Sequence, residues 1–124
     1  MSGISCHVLD TAIGRPAAGV GVRLERLDSA SSSGSSVSGA SASWRELSRA
    51  TTNADGRASG LEGQAGVQLG LHRISFETEA YLRGAGQPVF YPEVQVLFVV
   101  GSSAERYHVP LLLSPFGYST YRGS

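Results

Sequence analysis

The chain has 124 residues, which is enough for one domain and too few for two ordinary ones. Ten arginines balance ten acidic residues, and this zero net charge argues against a nucleic-acid-binding protein, which would carry a basic excess. The single cysteine, Cys6, excludes an intrachain disulfide, so the fold must depend on packing alone, as suits a reducing compartment. We expect one domain over residues 1–124.

Neither secretion nor membrane insertion is predicted. The first ten residues lack the basic and apolar regions of a signal peptide, and no apolar stretch approaches the ~20 residues of a membrane helix. The chain ends Arg122-Gly123-Ser124, which differs from a Ser-Lys-Leu peroxisomal signal. We expect a protein of the cytoplasm or the peroxisome, with no membrane partner.

The first two predicted strands, residues 4–10 and 20–27, alternate in side-chain type. In the first strand, one face carries Ile4, Cys6 and Val8, and the opposite face carries Ser5, His7 and Leu9. Gly14-Arg15-Pro16 separates the two strands. This period of two predicts half-buried strands, with Cys6 in the core rather than acting as a nucleophile.

A low-complexity segment follows from Ser29 to Ser43. Nine of its fifteen residues are serine, and the others are Gly, Ala and Val37. Such a segment cannot bury enough apolar surface to offset its ordering entropy. We predict a flexible insertion without a functional role.

The second half of the chain contains further strand signals and one helix signal. Strands are predicted at Trp44–Thr52, Val67–Glu77, Val94–Val100 and Tyr107–Ser114, and a short final strand within Tyr118–Ser124. Glu77–Gly84 predicts a short helix, ended by glycines. Pro110 interrupts its strand, which favours an edge position or a bulge. Many short strands with at most one helix predict an all-β sandwich.

The candidate reactive side chains lie in strands or follow a turn. His7 and His108 are the first candidates, because a neutral imidazole near pH 7 can accept a proton from water. Arg57 directly follows the Asn53–Gly56 turn and could hold a carbonyl or an oxyanion with its guanidinium. Structural strand histidines and a solvated arginine are the plain alternatives. No metal-ligand spacing and no nucleotide-binding loop occurs.

The chain end is unusual in composition. Residues 111–124 are rich in apolar and aromatic side chains, whereas chain ends are normally polar and frayed. We therefore expect this segment to be docked, either on its own domain or at an interface.

Three separated motifs resemble one family, the transthyretin-like 5-hydroxyisourate hydrolases. They are Cys6-His7-Val8-Leu9-Asp10 with Gly14-Arg15-Pro16-Ala17, Thr52-Asn53-Ala54-Asp55-Gly56-Arg57, and residues 107–124 ending Tyr121-Arg122-Gly123-Ser124. Phe90-Tyr91-Pro92-Glu93-Val94 is a further match. The terminal tetrapeptide separates these hydrolases from transthyretin, the hormone carrier of the same fold. The resemblance covers nearly the whole chain except residues 29–43.

The resemblance implies a transthyretin-like β-sandwich of two four-stranded sheets with one short helix, assembled as a homotetramer, a dimer of dimers. It implies active sites in clefts at the dimer–dimer interface. His7, Arg57, His108 and Ser124 match the catalytic positions, and Tyr121, with His7 and Arg57, matches the positions that contact substrate. His72 matches no catalytic position, so we expect it to be structural or exposed.

The implied reaction is the hydrolysis of 5-hydroxyisourate, a purine-derived substrate, to 2-oxo-4-hydroxy-4-carboxy-5-ureidoimidazoline. It would use no metal and no organic cofactor. Which histidine is the base is left open by the sequence. Two alternatives remain: a small-molecule carrier without catalysis, and an adhesive β-sandwich that does not need its C-terminus.

Overall fold

A computed structural model describes residues 2–29 and 42–124. Over these ranges the chain forms two β-sheets and one short helix. The strands are β1 (Gly3–Asp10), β2 (Arg15–Pro16), β3 (Gly21–Ser29), β4 (Ala42–Thr51), β5 (Arg57–Ala58), β6 (Gly70–Glu77), β7 (Val94–Val100), β8 (Arg106–Ser114) and β9 (Gly117–Thr120), and helix α1 is Thr78–Gly84. No helix in the described ranges is long and apolar enough to cross a membrane.

The two sheets confirm the predicted all-β sandwich. One has the order β4-β3-β6-β7, and the other has the order β2-β1-β8-β9, with β5 also paired to β1. The second sheet thus has five strands in the described chain where we expected four, because two strands of two residues each pair with β1. The β1–β8 pair is parallel, and the other pairs are antiparallel.

The core lies between the sheets and follows the predicted alternation. Ile4, Cys6 and Val8 of β1 are fully buried, and the opposite sheet contributes Ile74 and Phe76. Burial raises the pKa of the Cys6 thiol to about 12, so this cysteine is an inert core residue, as expected. The face of β1 that bears Ser5 and His7 is only partly buried. Packing the apolar face therefore directs the polar face outward.

The strands on both sides of the serine-rich segment extend further into it than predicted. β3 continues to Ser29 and β4 begins at Ala42, so both ends of the expected 29–43 loop are strand. The antiparallel ladder extends through Asp28↔Ser43 to Ser29↔Ala42, and Arg45 forms an ion pair with Asp28 beside it. Cross-strand pairing thus overrides composition at both ends. Residues 30–41 lie outside the described residues.

Pro110 lies in a central strand, so the predicted edge position was wrong. β8 pairs with β1 on one side and β9 on the other. The β9 ladder ends at Thr120, and pairing resumes only at a single bridge between His108 and Gly123. Pro110 faces this gap, where its carbonyl accepts a hydrogen bond from the Thr120 hydroxyl at 2.7 Å. Pro110, which has no N–H, therefore lies where the pairing with β9 is already interrupted.

Helix α1 confirms the predicted helix and is tied to the end of β1 by a buried carboxylate. Asp10 accepts hydrogen bonds from the Tyr81 hydroxyl at 2.6 Å and from Nε2 of Gln87 at 2.7 Å. Burial, reinforced by this hydrogen bond, raises the pKa of Tyr81 to about 12. Because the carboxylate is hydrogen-bonded, its burial is tolerated, and it fixes the helix over the β1 end of the sheet.

The Asn53–Gly56 turn brings the chain back onto β1. Oδ1 of Asn53 accepts the backbone N–H groups of Asp55 and Arg57, at 2.9 and 3.0 Å. Gly56 has φ 75°, and its carbonyl accepts the N–H of Val8 at 2.7 Å. A Cβ at Gly56 would lie 2.5 Å from the Val8 carbonyl oxygen. The turn therefore needs glycine both for its conformation and for its close contact with β1.

Gly56→Ala should destabilise the fold by about 2–4 kcal/mol, since left-handed strain and overpacking add. Gly60→Ala is the matched control, because Gly60 has φ 67° and no heavy atom within 4 Å of a built Cβ. Urea denaturation should show a loss for the control of roughly 1–2 kcal/mol, from strain alone. Equal losses in the two variants would contradict the close contact at Gly56.

His72 is a structural core residue, one of the two alternatives expected. It is fully buried on β6, its Nδ1–H donates to the Gly70 carbonyl at 3.0 Å, and its ring packs against Phe98. Burial, with a smaller contribution from the charge of Arg26, holds the pKa of His72 below its ordinary value of 6.5. The folded chain therefore binds a proton at this residue less readily than the unfolded chain does.

The free energy of unfolding should fall as the pH drops below about 6.5, where His72 is protonated in the unfolded chain but resists protonation in the fold. This stability is fully present above the unfolded pKa and declines toward the folded pKa. His72→Leu should flatten the dependence between pH 7.5 and 5.5 in urea titrations. A parent and a variant with identical slopes would assign the acid sensitivity to other groups.

Candidate active site

Strand pairing places His7 and Arg57 side by side. β5 runs antiparallel to β1, and His7 lies directly opposite Arg57 in the register. The turn at Asn53 fixes this register, because Arg57 is the first strand residue after it. His7 is partly buried and Arg57 is exposed, so the guanidinium reaches solvent beside the imidazole.

His108 joins them through the parallel β1–β8 ladder. It pairs with Ser5, two residues before His7 and on the same face of β1. The Ser5 hydroxyl lies 2.7 Å from Nδ1 of His108. The rings of His7 and His108 are stacked, with centroids 6.4 Å apart. Two imidazoles from opposite ends of the chain thus share one face of the sheet.

The chain end closes over His108. Gly123 donates its N–H to the His108 carbonyl at 2.8 Å, and a Cβ at Gly123 would lie 2.5 Å from Cδ2 of the imidazole. Arg122 donates to Glu105 at 2.9 Å, and its guanidinium stacks 4.5 Å from the centre of the Tyr107 ring. The backbone of the terminal segment is therefore docked, as its composition predicted, and Ser124 and His108 line a common pocket.

A pocket of about 280 Å³ brings three of the four predicted catalytic residues together, and the fourth adjoins it. It is lined by Ser5, Cys6, Asn53, Arg57, Ala58, Ser59, Arg106, His108 and Ser124. His7 adjoins this pocket through its pairing with Arg57 and its stacking on His108. We call these four predicted residues, His7, Arg57, His108 and Ser124, the polar cluster.

Tyr121 lies apart from that pocket. It lines a neighbouring groove of about 250 Å³ formed by Val96, Leu97, Phe98, Val99, Tyr107, His108, Val109, Thr120, Tyr121 and Arg122. His108 is common to the pocket and the groove, and the Tyr121 side chain is 58% exposed. Within one chain, the tyrosine therefore stands on the other side of His108 from Arg57 and Ser124.

Burial and electrostatic repulsion both favour the neutral form of His108. Burial lowers the pKa of His108 below its ordinary value of 6.5, and electrostatic repulsion from Arg57, His7 and Arg106 lowers it further. An imidazole that resists protonation near neutral pH retains a lone pair and can accept a proton from water. The guanidinium donors of Arg57, which lines the same pocket, can hold an oxygen that gains negative charge.

Two polar residues that β1 and β8 contribute to the pocket, Ser5 and Arg106, were not among the predicted site residues. Ser5 shares a face of β1 with His7, and Arg106 shares a face of β8 with His108. Period-two alternation could have identified both, since each lies two residues before a candidate histidine. Across the described ranges, no group of three or more His, Cys, Asp or Glu side chains has the arrangement of a metal site.

Comparison with known proteins assigns this sandwich to a family. The model of the HIUase/Transthyretin family matches residues 4–123. A 5-hydroxyisourate hydrolase from Mus musculus is 42% identical over 123 residues, which cover 99% of this chain and 96% of the mouse protein. The chain therefore belongs to the HIUase/Transthyretin family.

Solved structures of two kinds share the backbone. A 5-hydroxyisourate hydrolase from Klebsiella pneumoniae has a TM-score of 0.78 and 35% identity, with all of both chains covered. Sea bream transthyretin, in complex with thyroxine, has a TM-score of 0.79 and 26% identity, with 97% of this chain and 93% of that chain covered. The backbone is thus equally similar to an enzyme and to a protein that binds a hormone.

Proposed function

We propose that this chain is a hydrolase that opens the six-membered ring of 5-hydroxyisourate to give 2-oxo-4-hydroxy-4-carboxy-5-ureidoimidazoline, a step of urate degradation. The observation that supports this most is the convergence of the polar cluster at one pocket. Near-full-length similarity to proteins named 5-hydroxyisourate hydrolase supports the same reaction. The single buried thiol suits a cytoplasmic or peroxisomal location.

The proposed mechanism is a direct attack of water on a ring amide carbonyl. His7 or His108 removes one proton from water as the oxygen bonds to the carbonyl carbon, which produces an oxyanion. When the oxyanion collapses, the carbon–nitrogen bond breaks and the imidazolium returns its proton to the leaving nitrogen. The proton count therefore balances without a metal, an organic cofactor or a covalent intermediate.

The remaining site residues bind and orient the substrate. Arg57 holds substrate carbonyl oxygens with its planar donors and stabilises the developing negative charge. Ser124 positions the water or a histidine through its hydroxyl or its terminal carboxylate. Tyr121 contacts the substrate from the groove on the far side of His108. A planar, polar substrate would thus lie next to His108, the residue that the pocket and the groove share.

His7→Ala, Arg57→Ala and His108→Ala should each lower kcat/KM about 100-fold or more, because each removes a proton-transfer or charge-stabilising group. The measurement is the ultraviolet absorbance decay of freshly generated 5-hydroxyisourate. Arg83→Ala is the control, since this arginine pairs with Glu79 on α1 and should retain parental activity. A site variant with near-parental kcat/KM would remove that residue from the mechanism.

The same assay separates the competing functions. A transthyretin-like carrier would bind the substrate without accelerating its decay above the spontaneous rate. An adhesive module would not need its chain end, whereas the hydrolase should lose activity when residues 121–124 are removed. Decay at the spontaneous rate with intact parent protein would exclude hydrolysis.

We further propose that the chain assembles as a homotetramer, a dimer of dimers, with its catalytic clefts at the dimer–dimer interface. Apolar side chains exposed near the sheet edges support this. An aromatic patch comprises Phe90, Tyr91, Phe116 and Tyr118, with neighbouring ring centroids 4.9 to 6.0 Å apart. Phe90 and Phe116 are 61% and 68% exposed. The edge strands β7 and β9 also offer backbone groups for pairing with a second copy.

Phe90→Glu combined with Phe116→Glu should dissociate the assembly, because like charges would face each other in a buried apolar contact. Sedimentation velocity should give a tetramer for the parent and smaller species for the double variant. Leu69→Glu is the control, since Leu69 is similarly exposed, at 54%, but lies outside the aromatic patch. A monomeric parent at micromolar concentration would contradict the tetramer.

A further inference from the structure

We propose that Ser5 is a positioning residue that fixes the tautomer of His108. Its hydroxyl accepts a hydrogen bond from Nδ1–H of His108, which leaves Nε2 unprotonated and makes His108 the base that activates water. This assignment rests on the proposed hydrolysis and decides between the two histidines. No sequence motif singled out Ser5.

The geometry supports a defined hydrogen bond between these side chains. Oγ of Ser5 lies 2.7 Å from Nδ1 of His108, at the short end of the range for an N–H···O hydrogen bond. The residues are direct partners in the β1–β8 register, which runs without a shift from Gly3↔Arg106 to Asp10↔Leu113. A short side chain on a paired backbone has little freedom, so the ladder holds the hydroxyl at the ring nitrogen.

The tautomer follows from what each ring nitrogen faces. A neutral imidazole carries one N–H, and the partner of one nitrogen determines whether the other keeps a lone pair. The arginines that act electrostatically on His108, Arg57 and Arg106, have only N–H donors. Among the described residues, the Ser5 hydroxyl is the group hydrogen-bonded to Nδ1, and the proposal gives it the acceptor role.

The proposed catalytic cycle favours the same direction of the hydrogen bond, from Nδ1–H of His108 to the Ser5 oxygen. When His108 takes a proton from water it becomes an imidazolium, in which Nδ1 must carry hydrogen. A Ser5 oxygen that already accepts from Nδ1–H needs no rotation at that moment, and this arrangement lowers the cost of reorganisation. A hydroxyl that donated to Nδ1 would have to turn over in every cycle. His7 is then left to orient the water or the leaving nitrogen.

The contact of Gly123 with the ring completes the support of His108. This glycine lies against Cδ2, between the ring and the chain end, and a side chain there would collide with the imidazole. Ser5 holds the Nδ1 side of the same ring. The ring is therefore contacted on two of its edges, and the proposal assigns Nε2 to the reactants.

The test compares Ser5→Ala with Ser5→Thr, which keeps a hydroxyl on the same carbon. Ser5→Ala should lower kcat about 10–100-fold, as loss of a group that orients a histidine does, with KM changed less than threefold. Ser5→Thr should recover most of kcat. Ser103→Ala, an exposed serine of the β7–β8 loop, is the matched control and should keep parental kcat. Thermal unfolding of each variant verifies that the fold is intact.

Nitrogen-15 NMR of the His108 ring reports which ring nitrogen is protonated. This tautomer would not change on substitution of Ser5 if Ser5 had only a structural role. In the parent, Nδ1 should be protonated and Nε2 unprotonated, and Ser5→Ala should shift the ring toward a mixture of tautomers. A parent with unprotonated Nδ1, or a folded Ser5→Ala variant with parental kcat, would overturn the assignment. A parent that does not hydrolyse 5-hydroxyisourate would instead defeat the proposed function, and the NMR result would still decide the hydrogen bond.

Discussion

The parallel ladder between β1 and β8 is the constraint on which the rest of the structure depends. It joins residues about one hundred positions apart and fixes which side chains face the core. A slip of β1 by one residue would turn Cys6 outward and His7 into the core. Because the apolar face of β1 is fully buried, such a slip would lose the hydrophobic free energy of that face. The packing of the core therefore sets the register of β1 and β8. This register keeps the imidazoles on the outer face without help from contacts among the pocket residues.

Two glycines adapt this frame to the site. Gly56 lets the turn approach β1 closely enough for β5 to pair with it, which sets Arg57 opposite His7. Gly123 lets the chain end pass directly against the His108 ring, and the next residue, Ser124, lines the same pocket as His108. In both places a backbone must come nearer than any side chain allows. The polar cluster is thus assembled by one ladder and two close backbone approaches, and its members come from three distant parts of the sequence.

The sequence specified local features well and long-range pairing poorly. Alternation identified the buried and polar faces of β1, and the Asn53 turn and helix α1 were predicted from residue types alone. Alternation gives the face of a side chain but not the partner of a strand. For that reason Pro110 was expected at an edge, although a gap in the β9 ladder accommodates it centrally. Tyr121 could not be placed relative to Arg57 for the same reason, and the significance of Ser5 depended on its unpredicted pairing with His108.

The backbone alone does not decide between catalysis and binding, because the hydrolase and the hormone-binding structure have TM-scores of 0.78 and 0.79, although the hydrolase is 35% identical to this chain and transthyretin 26%. The decision rests on the electrostatics of the polar cluster. A base must stay neutral near pH 7, and a carbonyl that gains negative charge needs a fixed cation. Arg57 meets both needs, since its charge lowers the pKa of His108 and its donors face the same pocket. In the proposed mechanism this cation, together with burial, favours the neutral imidazole that accepts the proton, and it stabilises the oxyanion that results. A sandwich that lacked Arg57 and His108 could enclose a planar ligand, but it would lack the groups proposed to activate water for attack on that ligand.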